Sequence, residues 1–106
     1  MGLPFTSLNA ATSTGVGVAR DYETSLRYHT IHVTVAGSPN GANVSLEGSH
    51  DGQRWFLLGA VGVGTGQTQA VRTVNEHFVR YVRANLTDLS GGTSPTVTAT
   101  IASAAG

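Results

Sequence analysis

The sequence predicts an all-β fold: one antiparallel β-sandwich of about seven or eight strands. The first observation is a period-2 alternation of apolar and polar residues, as in "YHTIHVTVAG" and "TVTATIAS". The second is the spacing of turn formers, which recur roughly every 8 to 12 residues. The third is the length of 106 residues, which suits a single domain. No segment carries a convincing helical pattern.

The first element, residues 1–14, is polar and small apart from Leu3, Phe5 and Leu8. We expect it to be an N-terminal arm whose three apolar side chains fill grooves on a neighbouring molecule. The sandwich domain would then span residues 15–106. An edge strand or a frayed terminus is an equally good interpretation of the same stretch.

The next elements are strands whose apolar residues share one face. The inward sets are Ile31, Val33 and Val35; Val44 and Leu46; Val82, Ala84 and Leu86; and Val97, Ala99 and Ile101. The segment "GAVGVGTGQTQ" is predicted to be a strand edge, a bulge or a loop. Asp51-Gly52 separates residues 44–49 from 54–58, and this dipeptide strongly indicates a hairpin.

Composition limits the classes of function. The chain has no cysteine, and its six basic and six acidic residues balance to a net charge of zero. There is no basic stripe, so nucleic acid is not an expected partner. No apolar run is long enough for a transmembrane helix, and residues 1–15 lack the pattern of a signal peptide. A weakly charged surface tolerates close packing against other protein, which favours assembly.

His50-Asp51 is the most obvious acid–base pair, but its position favours a turn. Gly52 accepts a positive φ, and Asp51 is a good turn cap. No serine or cysteine nucleophile is identifiable beside the pair. We therefore predict a structural hairpin, no catalytic residues and no enzymatic activity.

A metal or cofactor site is not predicted either. His29 and His32 are three residues apart, which places them on opposite faces of a strand. His50 and His77 lie in different segments, and the carboxylates are isolated from one another. "GVGVGTG" lacks the Lys-Ser/Thr pair and the following helix of a phosphate loop.

Trp55 is the remaining candidate for chemistry. On an exposed loop it would stack on a sugar or a partner. On a strand directly after a tight turn, a tryptophan more often closes the core or packs across the strand pair. We favour the structural role.

Two motifs carry a resemblance to known families. "VSLEGSHDGQRWFLLG" and "FVRYVRANL" resemble the paired Ser-x-Asp-Gly-x-x-Trp and Arg-Tyr-Val-Arg motifs of discoidin (coagulation factor 5/8 C-type) domains. The matching positions are Ser49, Asp51, Gly52, Trp55, Arg80, Tyr81, Val82 and Arg83. The resemblance implies a jelly-roll or discoidin-like sandwich in which these residues form a hairpin and a core strand. The ligand-binding spikes of discoidin domains have no counterpart.

Residues 30–102 also resemble small standalone bacteriophage virion proteins, through "VTVAG", "VSLEGSHDGQRW", "RYVRAN" and "TVTATI". The resemblance implies a virion structural protein assembled in the bacterial cytoplasm. We expect a capsid decoration protein that binds the major capsid protein and forms a homodimer or homotrimer. The alternatives are a carbohydrate-binding module on a tail or fibre, using Trp55, Tyr22, Tyr28, Tyr81 or the phenylalanines, and a free-standing cytoplasmic adaptor.

Overall fold

The computed structural model describes residues 2–105, with side chains from residue 4 onward, and this part of the chain is all β. It contains nine strands, slightly more than predicted. They are β1 (Gly2–Ala11), β2 (Gly15–Val16), β3 (Arg20–Leu26), β4 (Tyr28–Ala36), β5 (Gly41–Ser49), β6 (Trp55–Gly64), β7 (Gln69–Val74), β8 (Val79–Ser90) and β9 (Thr96–Ala104). No helix of the described residues is long and apolar enough to cross a membrane.

Two antiparallel sheets pack face to face, which confirms the predicted sandwich. One sheet has four strands in the order β1-β9-β4-β7. The other has five: β2, β8, β5 and β6 in order, with β3 pairing along the same edge of β8 as β2. The long central strands therefore make most of the backbone pairing, and the short strands β2 and β3 share one edge of β8.

The core lies between the sheets and consists of the apolar residues that the alternation predicts. Ile31 and Val33 of β4 face Val44 and Leu46 of β5, and each is at most 1% exposed. The inward residues of β8 and β9 are equally buried: Val82, Ala84, Leu86, Val97, Ala99 and Ile101. Each large aliphatic side chain contributes about 1.5–3 kcal/mol by leaving water.

The predicted hairpin is present. β5 and β6 pair from Gly41↔Gly64 to Ser49↔Trp55, and Asp51-Gly52 lies in the turn between them. Gly52 has φ 78°, a left-handed conformation that glycine adopts without steric cost. Of the glycine-rich stretch that follows, residues 59–64 are the second half of β6, and residues 65–68 form the turn that leads to β7.

Residues 2–11 are an edge strand, which corrects the predicted arm. β1 pairs with β9, and the side chains of Phe5 and Leu8 are only 8% and 5% exposed in the core. They fill the interior of their own chain and are not available to fill a neighbour's grooves. The side chain of Leu3, the third predicted contact residue, lies outside the described residues. The sandwich therefore begins within residues 1–14.

A bulge at Ser7 ties β1 to the other sheet. Thr6 pairs with Thr100 and Leu8 with Ala99, so Ser7 is an extra residue in β1. Its hydroxyl donates to the carbonyl of Val18 (2.7 Å) and accepts from the amide of Ala84 (2.9 Å). The Ser7 carbonyl accepts from the amide of Val18 at 2.8 Å. Gly17 permits this approach, since a Cβ there would lie 2.2 Å from the Ser7 carbonyl oxygen.

Candidate functional site

The Asp51 carboxylate is engaged in hydrogen bonds within the turn. One of its oxygens accepts from the amides of Gln53 (2.9 Å) and Arg54 (2.8 Å) and from the Ser49 hydroxyl (3.0 Å). The Ser49 hydroxyl also accepts from the amide of Gly52 at 2.9 Å. The amides of Arg54 and Gln53, in that order, lower the pKa of Asp51 to about 2. A carboxylate held in this way is a weak base and a strong turn cap.

The ring of His50 packs against Phe56. The ring centroids of His50 and Phe56 are 5.8 Å apart, and those of His77 and Phe56 are 5.6 Å apart. Both histidines are exposed, and Phe56 packs on the core. Within residues 2–105 no three histidine, aspartate or glutamate side chains are close enough to hold a metal ion together.

A Ser–His contact that the sequence did not indicate lies inside the four-stranded sheet. Ser103 Oγ is 2.7 Å from His29 Nδ1, and His29 Nε2 is 3.0 Å from the carbonyl oxygen of Leu26. Since a carbonyl only accepts, Nε2 carries the proton and Ser103 donates to Nδ1. Burial lowers the pKa of His29. With His29 0% and Ser103 4% exposed, the pair has no access to a substrate. The two residues are 74 positions apart, so the local sequence pattern does not indicate the contact.

Trp55 lies on the outer surface of the five-stranded sheet, so the expectation that it closes the core is wrong. The alternative structural role, packing across strands, is the observed one: the Arg83 guanidinium carbon lies 4.1 Å from the centre of the Trp55 ring. The reason is a bulge at Leu58, since Leu46 pairs with Gly59 but Glu47 pairs with Leu57. Because side chains alternate along a strand, one extra residue in β6 moves the side chains before it to the opposite side of the sheet. Phe56 takes the inward position instead.

Arg83 and its neighbours form what we call the charged face, the outward residues Glu47, Trp55, Tyr81, Arg83 and Asn85. Arg83 Nε donates to Glu47 Oε1 at 2.8 Å, and Asn85 Nδ2 donates to Glu47 Oε2 at 3.2 Å. Both members of the ion pair are partly shielded, with side-chain exposures of 22% and 18%. Both Glu47 oxygens are therefore paired, and one face of Trp55 is covered.

An exposed cluster at the hairpin end of the sandwich is a better contact surface. We call it the aromatic patch: Arg27, Tyr28 and Phe78. The guanidinium carbon of Arg27 lies 5.9 Å from the ring centre of Tyr28 and 5.7 Å from that of Phe78. Arg27 Nε donates to the carbonyl of Asn75 at 2.7 Å, which fixes its orientation. Tyr28 is 38% and Phe78 52% exposed. Sequence analysis listed Tyr28 as a candidate but did not single out Phe78, because the two are separated by 50 positions.

The outer surface of the four-stranded sheet has a different composition. It presents threonines from all four strands, and we call the following set the threonine face: Thr6, Thr30, Thr34, Thr73, Thr98 and Thr100. These positions follow from the alternation, because the residues next to the buried Ile31, Val33 and Ile101 along each strand point to the opposite side of the sheet. His32, Gln69 and Val71 lie among them.

A cavity of about 260 Å³ opens at the end opposite the hairpin turn. It lies between residues 35–38 and 66–68 and is lined by small and uncharged groups. The lining contains no aromatic ring, no ionised side chain and no histidine. The lining of this cavity therefore provides few groups that could bind a ligand specifically.

No family model matches the chain, and no curated protein matches it in sequence. Among solved structures, the fold is similar to that of the SPBc2 prophage-derived protein YomS. The TM-score is 0.65 at 14% identity, over 98% of this chain and 94% of YomS. The PBSX exported protein XepA gives 0.63 at 12% identity, over 98% of this chain and 37% of XepA. The carbohydrate-binding module CBM32-3, from a family 31 glycoside hydrolase of Clostridium perfringens, gives 0.60 at 10% identity, over 94% and 74%. The sandwich is thus shared with phage-derived proteins and with carbohydrate-binding modules.

Proposed function

We propose that this chain is a non-catalytic structural protein of a bacteriophage particle, and that it decorates the outside of the assembled head. The observation that carries the proposal is the aromatic patch, an exposed arginine flanked by two exposed rings at one end of a rigid sandwich. Arginine and aromatic residues dominate the binding energy of protein–protein contacts. The major capsid protein is the proposed partner.

Two further observations support a structural role. The overlay on YomS covers nearly the whole of both chains, so the same sandwich makes up almost all of a solved prophage-derived chain. The groups that most resemble catalytic residues serve the fold: Asp51 caps a turn, and His29 and Ser103 are buried. These roles leave little chemistry for catalysis in the described residues.

A glycan-binding module of a tail or fibre is the second candidate. It is favoured by the fold that the chain shares with CBM32-3 and by the same exposed rings, because a sugar stacks on an open aromatic face. Tyr28 and Phe78 would provide that platform, whereas one face of Trp55 is covered by Arg83.

Both candidates are tested with particles of a phage from which the gene for this chain has been deleted. Purified protein is added back, and its binding to separated heads and tails is measured by cosedimentation. We expect saturable binding to heads, weakened at least tenfold by Phe78→Ser. The matched control is Leu57→Ser, which removes an equally exposed apolar side chain elsewhere.

Each outcome decides between the candidates. Binding confined to tails contradicts the decoration proposal, and unchanged binding of Phe78→Ser to heads contradicts the assignment of the contact to the aromatic patch. A shift of intrinsic fluorescence on adding host cell-wall glycan, abolished by Phe78→Ser, supports the glycan-binding module.

A further inference from the structure

The threonine face is made by rows of side chains that run across all four strands. One row is Thr6, Thr100, His32 and Val71, and the next contains Thr98, Thr34 and Gln69. The central residues of these rows are already partly shielded, while Val71 at the edge is 61% exposed.

Among the described residues, this face has no aspartate, glutamate, lysine or arginine side chain. The four strands of the sheet contain a single formally charged residue, Arg72. Its guanidinium donates to the carbonyl of Ala60 in the other sheet at 2.9 Å, so it points along the side of the sandwich. In a twofold contact, a charge near the axis meets its own copy. A face without charge avoids that repulsion.

Several polar groups on the face are already hydrogen-bonded within the chain. Thr30 Oγ1 is 2.8 Å from Thr73 Oγ1, and His32 Nε2 is 2.8 Å from Gln69 Oε1. Thr98 Oγ1 accepts from the amide of Ala10 at 3.1 Å. A polar group that keeps its hydrogen bond costs much less to bury than one that loses water without replacement. The face can therefore be covered at low cost, with threonine methyl groups and Val71 as the apolar contacts.

From these properties we infer that two copies of this chain pack face to face through the threonine face and form a reversible dimer. Four strands about 4.8 Å apart, with nine residues at about 3.3 Å each, cover roughly 19 by 30 Å. Two such faces bury on the order of 1,100 Å², near the lower limit for a specific interface. The dimer is accordingly weak, and its dissociation constant lies in the micromolar range. This inference does not depend on the proposed function.

The charged face is the obvious competitor for self-association, and its chemistry is less suitable. A second copy there would cover the Arg83–Glu47 pair and bring like charges together across the axis. A third possibility is a monomer in which the threonines face water, since threonine has a high strand propensity. The experiment below separates all three.

Sedimentation velocity of the full chain from about 1 µM to about 500 µM measures the monomer–dimer equilibrium. Thr100→Arg places a charge at the middle of the threonine face. Ser45→Arg is the matched control, because Ser45 holds a comparable, partly shielded position at the middle of the outer surface of β5. Val71→Lys tests the same face from an exposed edge position, where folding is not at risk. Circular dichroism checks that each variant is folded.

We expect a wild-type dimer, at least tenfold weaker association for Thr100→Arg and Val71→Lys, and less than a twofold change for Ser45→Arg. The dissociation constant should change less than twofold between about 50 and 500 mM salt, because no ion pair joins the copies. A wild-type chain that stays monomeric at the highest concentration overturns the inference. So does a dimer that survives both threonine-face variants, or one that Ser45→Arg disrupts equally.

Discussion

The two outer surfaces of the sandwich follow the same strand alternation but differ in chemistry. On the threonine face, neutral groups pair with neutral groups, such as Thr30 with Thr73. On the charged face, Arg83 is held between Glu47 and the Trp55 ring. The inward residues of both sheets are nearly identical in kind. The inward half of the pattern therefore determines the fold, and the outward half determines what the protein can contact.

This difference assigns separate roles to the two surfaces. Covering an ion pair completely removes water from both charges, and this desolvation cost offsets their attraction. A neutral surface whose polar groups are partly paired loses less when it is covered. We therefore propose that the charged face stays in water and that the threonine face contacts protein.

The largest expected effect comes from breaking the connection between the two sheets. Gly17→Ala places a methyl group 2.2 Å from the Ser7 carbonyl oxygen, which is backbone and cannot rotate away. The hydrogen bonds from Ser7 to Val18 and Ala84 would be lost with it. We expect a loss of more than about 3 kcal/mol, or no cooperative folding at all. Thermal unfolding followed by circular dichroism measures it.

Gly62→Ala is the control for this prediction. Gly62 is exposed, and a Cβ there would meet only Asn43 Oδ1 at 3.8 Å. Its effect should be within about 1 kcal/mol. Equal melting temperatures for the two variants would show that the close contact at Ser7 is not needed.

The second effect concerns the turn that ends the charged face. Gly52→Val requires a β-branched residue at φ 78° and brings its Cβ within 3.2 Å of the Tyr81 ring. We expect a loss of about 2–3 kcal/mol in urea unfolding. Gly52→Asn should lose less than half of that, because asparagine tolerates a left-handed backbone. If valine and asparagine cost the same, backbone strain is not the cause.

Sequence analysis could predict the parts of the fold that depend on neighbouring residues. The alternation is regular in β4, β5 and β9 and in residues 82–86 of β8, and Asp51-Gly52 marks its turn directly. The inward residues and the hairpin followed from these patterns alone. His29 and His32 lie on opposite faces of β4, as their spacing predicts.

The errors came from two bulges. The extra residue Ser7 lets Phe5 and Leu8 both point inward at a spacing of three, so β1 does not look like a strand. The extra residue Leu58 turns Trp55 outward. A bulge depends on its partner strand, which is distant in sequence, so the local pattern does not reveal it. The aromatic patch was not predicted for the same reason. Arg27 and Tyr28 are far from Phe78 in the sequence and come close to it only in the folded chain.

A third test uses pH, because the two sheets carry their ionisable groups differently. The four-stranded sheet buries His29, whose pKa is lowered by burial. Below about pH 6.5 the unfolded chain binds a proton that the folded chain does not, so stability falls as the pH drops. The slope should approach about 1.4 kcal/mol per pH unit at most. It should disappear in His29→Gln, as measured by urea unfolding between about pH 7 and 5. A slope retained in that variant would point to another group.

The carboxylates should respond in a separate, more acidic range. Hydrogen bonding to Arg80 lowers the pKa of Asp21 to about 2, and the turn amides do the same for Asp51. Their contribution is present above the unfolded value of 3.8 and is lost as the pH falls toward 2. Tyr22, which faces His29 through Ser103, titrates far above both ranges. Unfolding of His29→Gln between about pH 4 and 2 isolates the carboxylates.

The smallest effects compare the two faces directly. Glu47→Gln leaves the partly buried Arg83 without its counter-ion and should cost about 1–2 kcal/mol, less at high salt. Thr30→Val removes the hydrogen bond to Thr73 but keeps the shape and the strand preference. Its cost should stay within about 0.5 kcal/mol and be independent of salt. Urea midpoints at about 0.05 and 1 M salt measure both variants. If Thr30→Val costs as much as Glu47→Gln, the neutral pairs stabilise the monomer as strongly as the ion pair does. The threonine face would then be explained by folding alone, without a partner.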